Sequence, residues 1–226
     1  RQVDHWPAVM ALPAGVPDQI EHYVTWMLEQ DTMVLTLGGD HFISYPLIKA
    51  HATKHRKPIS MIHFDAHSDT WPDENDEGIN HGTMFWHATK QGYLNPETSA
   101  QVGLRTVNDD LMGFNVFDAP YVHKHGTQKV IEEVRRVVGD TMVYLTFDID
   151  CLDPSYAPGT GTPVCGGLTS HQAREILRGL EGINIIGADL VEVSPPFDHA
   201  EITALAGATL AQDFLCLMAR APWRKR

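Results

Sequence analysis

The sequence predicts an α/β fold in which helices cover both faces of a mainly parallel sheet. Short apolar runs alternate along the chain with segments of helical periodicity. Several of these runs are continuously apolar, as strands buried on both faces are. Strands that alternate with helices form parallel sheets. Because no repeat, low-complexity tract or linker interrupts the pattern, we expect one domain over residues 1–226.

The individual elements follow from the same patterns. Strands are predicted at 33–37, 59–64, 100–104, 114–117, 142–149 and 183–193. Helices are predicted at 19–28, 43–55, 127–138 and 170–180, with candidate caps at Asp18, Thr127 and Ser170. A last helix carries one apolar stripe, formed by Ile202, Leu205, Ala206, Thr209 and Leu210. Ligands of such sheets bind at the carboxyl ends of the strands, so the search for a site starts there.

Length and charge exclude some classes of function. The chain has 226 residues, 43% of them hydrophobic, which is enough to bury a full core unaided. Its formal net charge of −12 argues against nucleic acid and against an anionic membrane surface, because both attract clustered Lys and Arg. No apolar run approaches the roughly 18 residues of a membrane span, so we expect no membrane association. The observed start shows no signal peptide.

The cysteine and histidine counts point to a reducing compartment and a metal. Three cysteines without a Cys-x-x-Cys spacing are typical of free thiols, so we expect a cytoplasmic protein. Thirteen histidines are many for 226 residues and justify a search for metal-ligand spacing. Most of them are expected to be solvated, for example His51, His55, His123 and His125.

Two candidate sites follow the first two strands. Residues 38–41 read Gly-Gly-Asp-His, where the glycines permit a sharp turn; alone, this is more often a turn with a surface histidine. Residues 65–69 read Asp-Ala-His-Ser-Asp. Side chains alternate along an extended segment, so Asp65, His67 and Asp69 are expected on one face. A polar loop does not need this strict alternation, and metal binding is therefore favoured.

Two further strand ends carry carboxylates. Asp148 and Asp150 follow a buried strand and are expected to share one face, where a divalent cation would remove their repulsion. Asp153, which precedes a proline, is interpreted as a turn-former, and Cys151 as a packing residue. Glu192 ends another apolar strand, and alone it would be interpreted as an exposed carboxylate.

Together these strand ends predict a centre for two metal ions. Two histidines and four aspartates converge there: His41, Asp65, His67, Asp69, Asp148 and Asp150. Hard carboxylate oxygens with few imidazoles suit Mn²⁺ better than Zn²⁺ or Cu²⁺. Six ligands are too many for one tetrahedral zinc but suit two cations that share carboxylates. Four carboxylates neutralise two divalent ions, so a bridging water is expected to ionise near neutral pH. The residues predict a two-metal hydrolase, with a structural metal pair as the alternative.

These motifs resemble the signatures of the ureohydrolases, the arginase and agmatinase family. The resemblance extends through residues 159–163 and 166–169 to 191–193. It implies a three-layer α/β/α sandwich with two Mn²⁺ per chain. One ion would be held by His41, Asp65, Asp69 and Asp148. The other would be held by His67, Asp65, Asp148 and Asp150. A metal-bridging hydroxide would attack the guanidinium carbon, and a tetrahedral intermediate would collapse to urea and an amine.

The resemblance also assigns roles outside the metal centre. Glu192 matches the family glutamate that pairs with the substrate guanidinium, which suits charge-assisted recognition. His81 matches the family histidine that passes a proton to the leaving amine, although spacing alone would not single it out. Residues 1–17 do not match the family's usual N-terminal portion, so we expect a chain that lacks this segment. A homo-oligomer, a trimer or hexamer, is a further implication.

The resemblance leaves several substrates open. Residues 81–86 resemble agmatinases more than arginases, which implies hydrolysis of agmatine to putrescine and urea. The loop 71–77 contains no base and four acids, namely Asp73, Glu74, Asp76 and Glu77. An acidic rim favours a cationic tail over a substrate carboxylate, although such charge runs are more often simply solvated. The alternatives are a guanidinobutyrase- or arginase-type ureohydrolase, a non-catalytic metal-binding relative, and a two-metal phosphoesterase, whose usual motifs do not occur.

Overall fold

The fold is built on one six-stranded sheet. The computed structural model describes residues 15–74 and 78–222. The strands are β1 Leu35–Leu37, β2 Ser60–Phe64, β3 Ala100–Val102, β4 Asn115–Phe117, β5 Val143–Asp148 and β6 Ile185–Val191. Their order across the sheet is β1-β6-β5-β2-β3-β4, and every pairing is parallel. Each predicted strand contains one of these, which confirms the α/β prediction.

Six helices flank the sheet within the described ranges. They are α1 Val16–Glu29, α2 Ser44–His55, α3 Met84–Lys90, α4 Ala119–Val138, α5 Ser170–Gly179 and α6 Ile202–Arg220. The sequence did not predict α3, because its 7 residues are too few to show a helical period. The predicted helix 127–138 is the second part of α4, which is kinked at Gly126 where φ is 78°.

Two hydrophobic clusters lie on opposite faces of the sheet, which gives three layers. In β2, Ile62 and Phe64 face the cluster formed with α4, α5 and α6. Met61, which directly precedes Ile62, faces the cluster formed with α1, α2 and α3. Because both faces are covered, the central strands are apolar at successive positions instead of alternating.

The predicted helix caps are displaced from the observed ones. Ser170 is the first residue of α5, and Thr169 before it is the N-cap, in a capping box. Gly15 precedes α1, which leaves Asp18 in the first turn. Thr127 lies inside α4. A cap side chain accepts from a backbone N–H two or three residues further on, so a shift of one residue removes the role.

The predicted apolar stripe on α6 packs only in part: Leu210 is buried and Ala206 is partly buried against the core. Ile202 is 44% exposed and Leu205 is 67% exposed. The buried stripe lies on another face and comprises Thr203, Gly207, Leu210, Asp213, Phe214, Leu217 and Met218. Apolar residues occur all round this helix, so periodicity alone could not select the face that packs.

Helix α6 also meets the length and composition criterion for a membrane span. An 18-residue window has a mean hydropathy of 1.5, contrary to the expectation that no run approaches this length. Its buried stripe packs on the sheet and includes Asp213, which makes ion pairs with Arg174 and Arg178 of α5. One such helix is weak evidence for a membrane, because the core helix of a soluble protein passes the same test.

His51 belongs to the core, contrary to the expectation that it is solvated. Its ring packs against Tyr144 with 5.3 Å between ring centroids, and burial lowers the pKa of His51 to about 3. A Cβ at Gly187 would overlap the His51 ring, so the glycine makes room for the histidine. Of the other expected surface histidines, His123 and His125 are exposed and His55 is half-buried.

Candidate active site

The candidate site lies where four neighbouring strands end. The strands β1, β6, β5 and β2 are adjacent and parallel, so their carboxyl ends lie along the same edge of the sheet. His41 follows β1, Asp65 follows β2 and Glu192 follows β6, while Asp148 is the last residue of β5. The topology therefore brings the motifs of all four strand ends to one place, as the sequence predicted.

Asp40 and two neighbouring strands position His41. Asp40 Oδ1 accepts a hydrogen bond of 2.9 Å from the Phe42 N–H and begins the short 3₁₀ turn that carries His41. His41 Nε2 lies 2.9 Å from Thr146 Oγ1. Thr146 donates its own proton to Asp189 Oδ1 at 2.6 Å, so the Thr146 oxygen accepts from His41. This arrangement leaves His41 Nδ1 to face the site.

The Nδ1 atom of His41 is surrounded by carboxylates. It lies 3.1 Å from Asp65 Oδ2, 3.0 Å from Asp69 Oδ2 and 3.3 Å from Asp148 Oδ2. It is buried and makes no well-oriented hydrogen bond. Burial lowers the pKa of His41, but the close approach of Asp148, Asp65 and Asp69 outweighs this and holds that pKa well above its ordinary value. A positive charge is thus strongly favoured at this point, as expected of a cation site.

A second group forms around His67. His67 Nδ1 lies 3.2 Å from Asp65 Oδ1 and 3.1 Å from Asp150 Oδ2. Burial lowers the pKa of His67, yet the hydrogen bonds of Asp150 and Asp65 raise it to about 12. One oxygen of Asp65 faces this group and the other faces His41, which is the arrangement of a carboxylate shared between two sites.

The motif side chains converge for a different reason from the one predicted. Strand β2 ends at Phe64, and Asp69 has a left-handed φ of 53°, so residues 65–69 are not one extended segment. Asp65 Oδ1 accepts from the His67 N–H at 2.6 Å. Asp148 Oδ1 likewise accepts from the Asp150 N–H at 2.8 Å. Turns closed by the aspartates themselves, instead of strand alternation, direct these side chains to the site.

The carboxylates of the site repel one another in a buried place. Burial raises the pKa of Asp148 well above its ordinary value, and the charges of Asp150 and Asp65 raise it further. Burial, followed by the charge of Asp65, also raises the pKa of Asp69 and of Asp150. Two divalent cations would relieve this repulsion, so the donor set fits a metal pair. The structure brings the six predicted ligands together, and their assignment as ligands remains a prediction.

Glu192 and His81 lie beside this cluster. Glu192 is buried and accepts from the His41 N–H at 2.8 Å through Oε1. Burial and then the charge of Asp40 raise the pKa of Glu192 to about 7. His81 Nδ1 lies 3.0 Å from Asp40 Oδ2. Burial lowers the pKa of His81, but the hydrogen bond to Asp40 outweighs it and the pKa is raised.

The two carboxylate oxygens of Asp40 act on two different histidines of the site. One oxygen caps the turn that holds His41, and the other contacts His81. Asp40 was not among the residues predicted for the site, although it stands within the Gly-Gly-Asp-His motif. That position, directly before a predicted ligand, was the signal that could have identified it.

A cavity of about 390 Å³ opens onto these groups. Its walls are formed by His41, His67, Asp69, Trp71, Asn80, His81, Gly82, Thr83, Asp148, Thr162 and Glu192. The volume lies within the range usual for small-molecule sites. Among the lining residues of the described chain there is no Lys or Arg. The cavity wall is therefore rich in carboxylates and offers no permanent cation to a ligand.

The described acids of the loop 71–77 do not line this cavity, although Trp71 of the same loop does. Asp73 Oδ2 accepts from the Gly78 N–H at 3.0 Å and lies 3.1 Å from His87 Nε2, so it connects the loop to helix α3. Glu74 is exposed and does not line the cavity. Asp76 and Glu77 lie outside the described residues. The carboxylates that face the cavity belong to the strand ends instead.

The interpretations of Cys151 and Asp153 are confirmed. Cys151 is fully buried in the hydrophobic cluster beneath the site. Asp153 Oδ2 accepts from the backbone of Gly166 and Gly167, at 2.7 Å and 3.1 Å. Hydrogen bonds from Ser155, together with those from the two glycines, lower the pKa of Asp153 to about 2. Asp153 therefore stabilises a turn and does not take part in the metal centre.

Known proteins are similar to this chain over most of its length. A sequence profile of the arginase family matches residues 3–217. An agmatinase of Chromobacterium violaceum is 56% identical over 202 residues, which are 89% of this chain and 62% of that protein. The crystal structure of a hypothetical agmatinase from Burkholderia thailandensis has a TM-score of 0.89 at 55% identity. That match covers 95% of this chain and 66% of the other.

A third relative differs in its named activity. The proclavaminate amidino hydrolase of Streptomyces clavuligerus has a TM-score of 0.86 at 33% identity, over 91% of this chain and 70% of its own. The chain spans slightly less than two thirds of the length of the Chromobacterium and Burkholderia proteins. The family match, by contrast, extends over nearly the whole chain, together with the motifs at the strand ends. The chain belongs to the arginase family.

Proposed function

We propose that this chain is a manganese-dependent agmatinase, which hydrolyses agmatine to putrescine and urea. The observation that carries the proposal is the convergence of two histidines and four aspartates on a cavity whose described walls contain a buried glutamate and no Lys or Arg. The similarity to the Chromobacterium violaceum agmatinase supports the same activity.

Two Mn²⁺ ions would be held by the side chains that surround His41 and His67. The first group is His41, Asp65, Asp69 and Asp148. The second is His67, Asp65, Asp148 and Asp150, in which Asp65 and Asp150 contact His67. When bound, such a pair supplies activated water and an electrophile that polarises the carbon under attack. An oxygen-rich set with one imidazole per ion is typical of manganese sites.

Glu192 is the proposed partner of the substrate guanidinium. It lines the cavity beside His41, and its backbone is held in a left-handed conformation with φ of 63°. Its pKa of about 7 shows that the free site resists a full negative charge. A guanidinium cation would favour the ionised carboxylate and form charge-assisted hydrogen bonds with it. Glu192 thereby orients the carbon of the substrate towards the metal groups.

His81 is the proposed proton carrier for the leaving amine. Its Nδ1 atom lies on Asp40, so proton exchange with the substrate would use Nε2. The hydrogen bond to Asp40 raises the pKa of His81, which favours the protonated imidazole that a proton donor needs. The leaving amine would take this proton as the C–N bond breaks, and Asp40 would orient the ring throughout.

The cavity wall favours agmatine over guanidino acids. The metal ions would neutralise Asp69 and Asp148, but a substrate carboxylate would still find no Lys or Arg along the described walls. A charge without a partner in a partly buried site costs up to several kcal/mol. A guanidino-acid substrate is the second candidate, supported by the similarity to the Streptomyces clavuligerus amidino hydrolase. A non-catalytic relative is disfavoured because all six predicted ligands are present.

The proposal is tested by urea release from agmatine, arginine and 4-guanidinobutyrate after Mn²⁺ loading. We expect kcat/KM for agmatine to exceed that for arginine by about a hundredfold or more, equivalent to ~3 kcal/mol. Glu74→Gln is the matched control, because Glu74 lies outside the cavity and its loss should leave the ratio unchanged. A higher kcat/KM for arginine would refute the agmatinase assignment.

A further inference from the structure

His63 is a buried histidine of the site that the proposed function does not use. It lies in β2, is 0% exposed and pairs in register with Gln101 of the neighbouring strand β3. Its Nε2 atom is 2.8 Å from Asp65 Oδ2, and its Nδ1 atom is 3.0 Å from Gln101 Nε2. His63 therefore lies between a carboxylate of the metal centre and an amide that takes no part in it.

The orientation of the Gln101 amide is fixed by a backbone carbonyl. The Nε2 atom of Gln101 lies 2.8 Å from the Ser68 carbonyl oxygen. A carbonyl oxygen only accepts hydrogen bonds, so the amide nitrogen must face it; a flipped amide would place two acceptors in contact. The same nitrogen also faces His63 Nδ1. Because an amide nitrogen only donates, His63 Nδ1 must be the acceptor.

This fixes the tautomer of His63. When Nδ1 accepts, the proton of a neutral imidazole is on Nε2, and it is donated to Asp65 Oδ2. A ring nitrogen that carries a proton has no lone pair to offer a metal. We propose that His63 is a positioning residue and not a metal ligand: through Gln101 it is locked as a donor that orients the carboxylate of Asp65. The inference rests on the proposed metal centre.

The orientation of Asp65 matters because its two oxygens face different groups. Oδ2 is directed towards His41, whereas Oδ1 is directed towards His67. Rotation of the carboxylate would disturb both groups at once. The His63 ring is itself held at 4.7 Å from the ring of Phe85, in an edge-on contact. The fixed ring and the fixed tautomer of His63 thus hold the carboxylate of Asp65 in one orientation.

A competing interpretation makes His63 a ligand. The ligand atoms of His41, His63, Asp65 and Asp69 lie within 4.8 Å of one another, which is close enough for one ion. The two interpretations predict opposite protons on His63, because a ligating Nε2 must be bare and the proton would then be on Nδ1. Long-range ¹⁵N–¹H correlation spectra of the full chain loaded with diamagnetic Zn²⁺ distinguish them. A proton on Nε2 supports the proposal, and a proton on Nδ1 overturns it.

Mn²⁺ binding by the full chain provides the second test. His63→Gln keeps an N–H donor at about the same reach, whereas His63→Met keeps a similar volume and removes the donor. We expect His63→Met to weaken the binding of at least one Mn²⁺ by ~10–100-fold, in a competition titration with a chelator. His63→Gln should retain most of the affinity. Equal loss in both variants would indicate a ligand, and no loss in either would remove the positioning role; both results overturn the proposal.

A variant at Gln101 tests whether this residue sets the His63 tautomer, without altering the metal cluster. Gln101→Met removes the donor to His63 Nδ1, so part of the population should move its proton from Nε2 to Nδ1 in the same spectra. An unchanged tautomer would show that Gln101 does not set it.

If the wild-type chain binds two Mn²⁺ but releases no urea, the proposed function fails alone. If urea is released and His63→Met binds Mn²⁺ as tightly as wild type, this inference fails alone.

Discussion

Replacing Glu192 by Gln isolates the contribution of one charge to catalysis. The substitution keeps the side-chain shape and the oxygen that accepts from the His41 N–H, so the fold and the metal groups should remain intact. It removes the negative charge that is proposed to face the guanidinium. Two unit charges about 4 Å apart attract by ~4 kcal/mol at an effective dielectric constant of about 20, which is appropriate for a partly buried site.

The raised pKa of Glu192 reduces this attraction energy. At a pKa of about 7, the free carboxyl is roughly half ionised at neutral pH. Substrate binding must ionise the remainder, which costs less than ~1 kcal/mol and leaves a net contribution of ~3–4 kcal/mol. We therefore expect kcat/KM for agmatine to fall roughly 10²–10³-fold in Glu192→Gln.

The assay compares steady-state urea release with Mn²⁺ content in the same preparations. Metal content should equal that of wild type, because Glu192 is not among the predicted ligands. Glu97→Gln, on an exposed turn, is the matched control and should behave as wild type. A Glu192→Gln enzyme with wild-type kcat/KM would refute the role in guanidinium recognition. Loss of metal in that variant would instead make Glu192 part of the metal centre.

Three other substitutions test the metal centre and the scaffold. Asp148→Asn removes a shared charge, so metal analysis should find at least one Mn²⁺ lost and nearly all activity with it; two retained ions with near-normal turnover would contradict the assignment. Gly187→Ala should lower the free energy of unfolding by ~1–3 kcal/mol in urea titrations, because the new Cβ overlaps the His51 ring; an unchanged midpoint would contradict this packing. Asp153→Asn should lower the thermal midpoint at neutral pH. Since the folded-state pKa of Asp153 is depressed to about 2, its contribution is present above about pH 4 and is lost as the pH falls towards 2, where the midpoints should converge; a difference that persists at pH 2 would rule this out.

The fold could be predicted because strands that are buried on both faces are apolar at successive positions in the sequence. Strands β2 and β5 are covered on both faces, so residues such as Met61 and Ile62 are apolar in succession. Parallel topology then places every strand end at one edge, which made the site predictable before any distance was known. The same reasoning failed for helix α6, because α6 carries apolar residues on all its faces. Only the packing of Gly207 and Phe214 shows which face is buried.

The parts of the site that could not be predicted depend on contacts between distant residues. His63 looks like any strand residue until the amide of Gln101 and the carbonyl of Ser68 are placed beside it. The left-handed φ values of Asp69 and Glu192 likewise have no signature in residue type, since non-glycine residues rarely adopt them. His51 reads as a polar helix residue, and only the gap at Gly187 makes room for it in the core.

The pairing of the two central strands links metal loading to the course of folding. Phe64 and Phe147 are partners in register, and Asp65 and Asp148 come directly after them. A slip of one residue would move one carboxylate by about 3.3 Å and turn it to the opposite face of the sheet. Strands this distant along the chain pair late, because loop closure must come first. Mn²⁺ at a hundred times its dissociation constant would stabilise the correctly paired chain by ~2.7 kcal/mol, so the ions would select the right register over its neighbours.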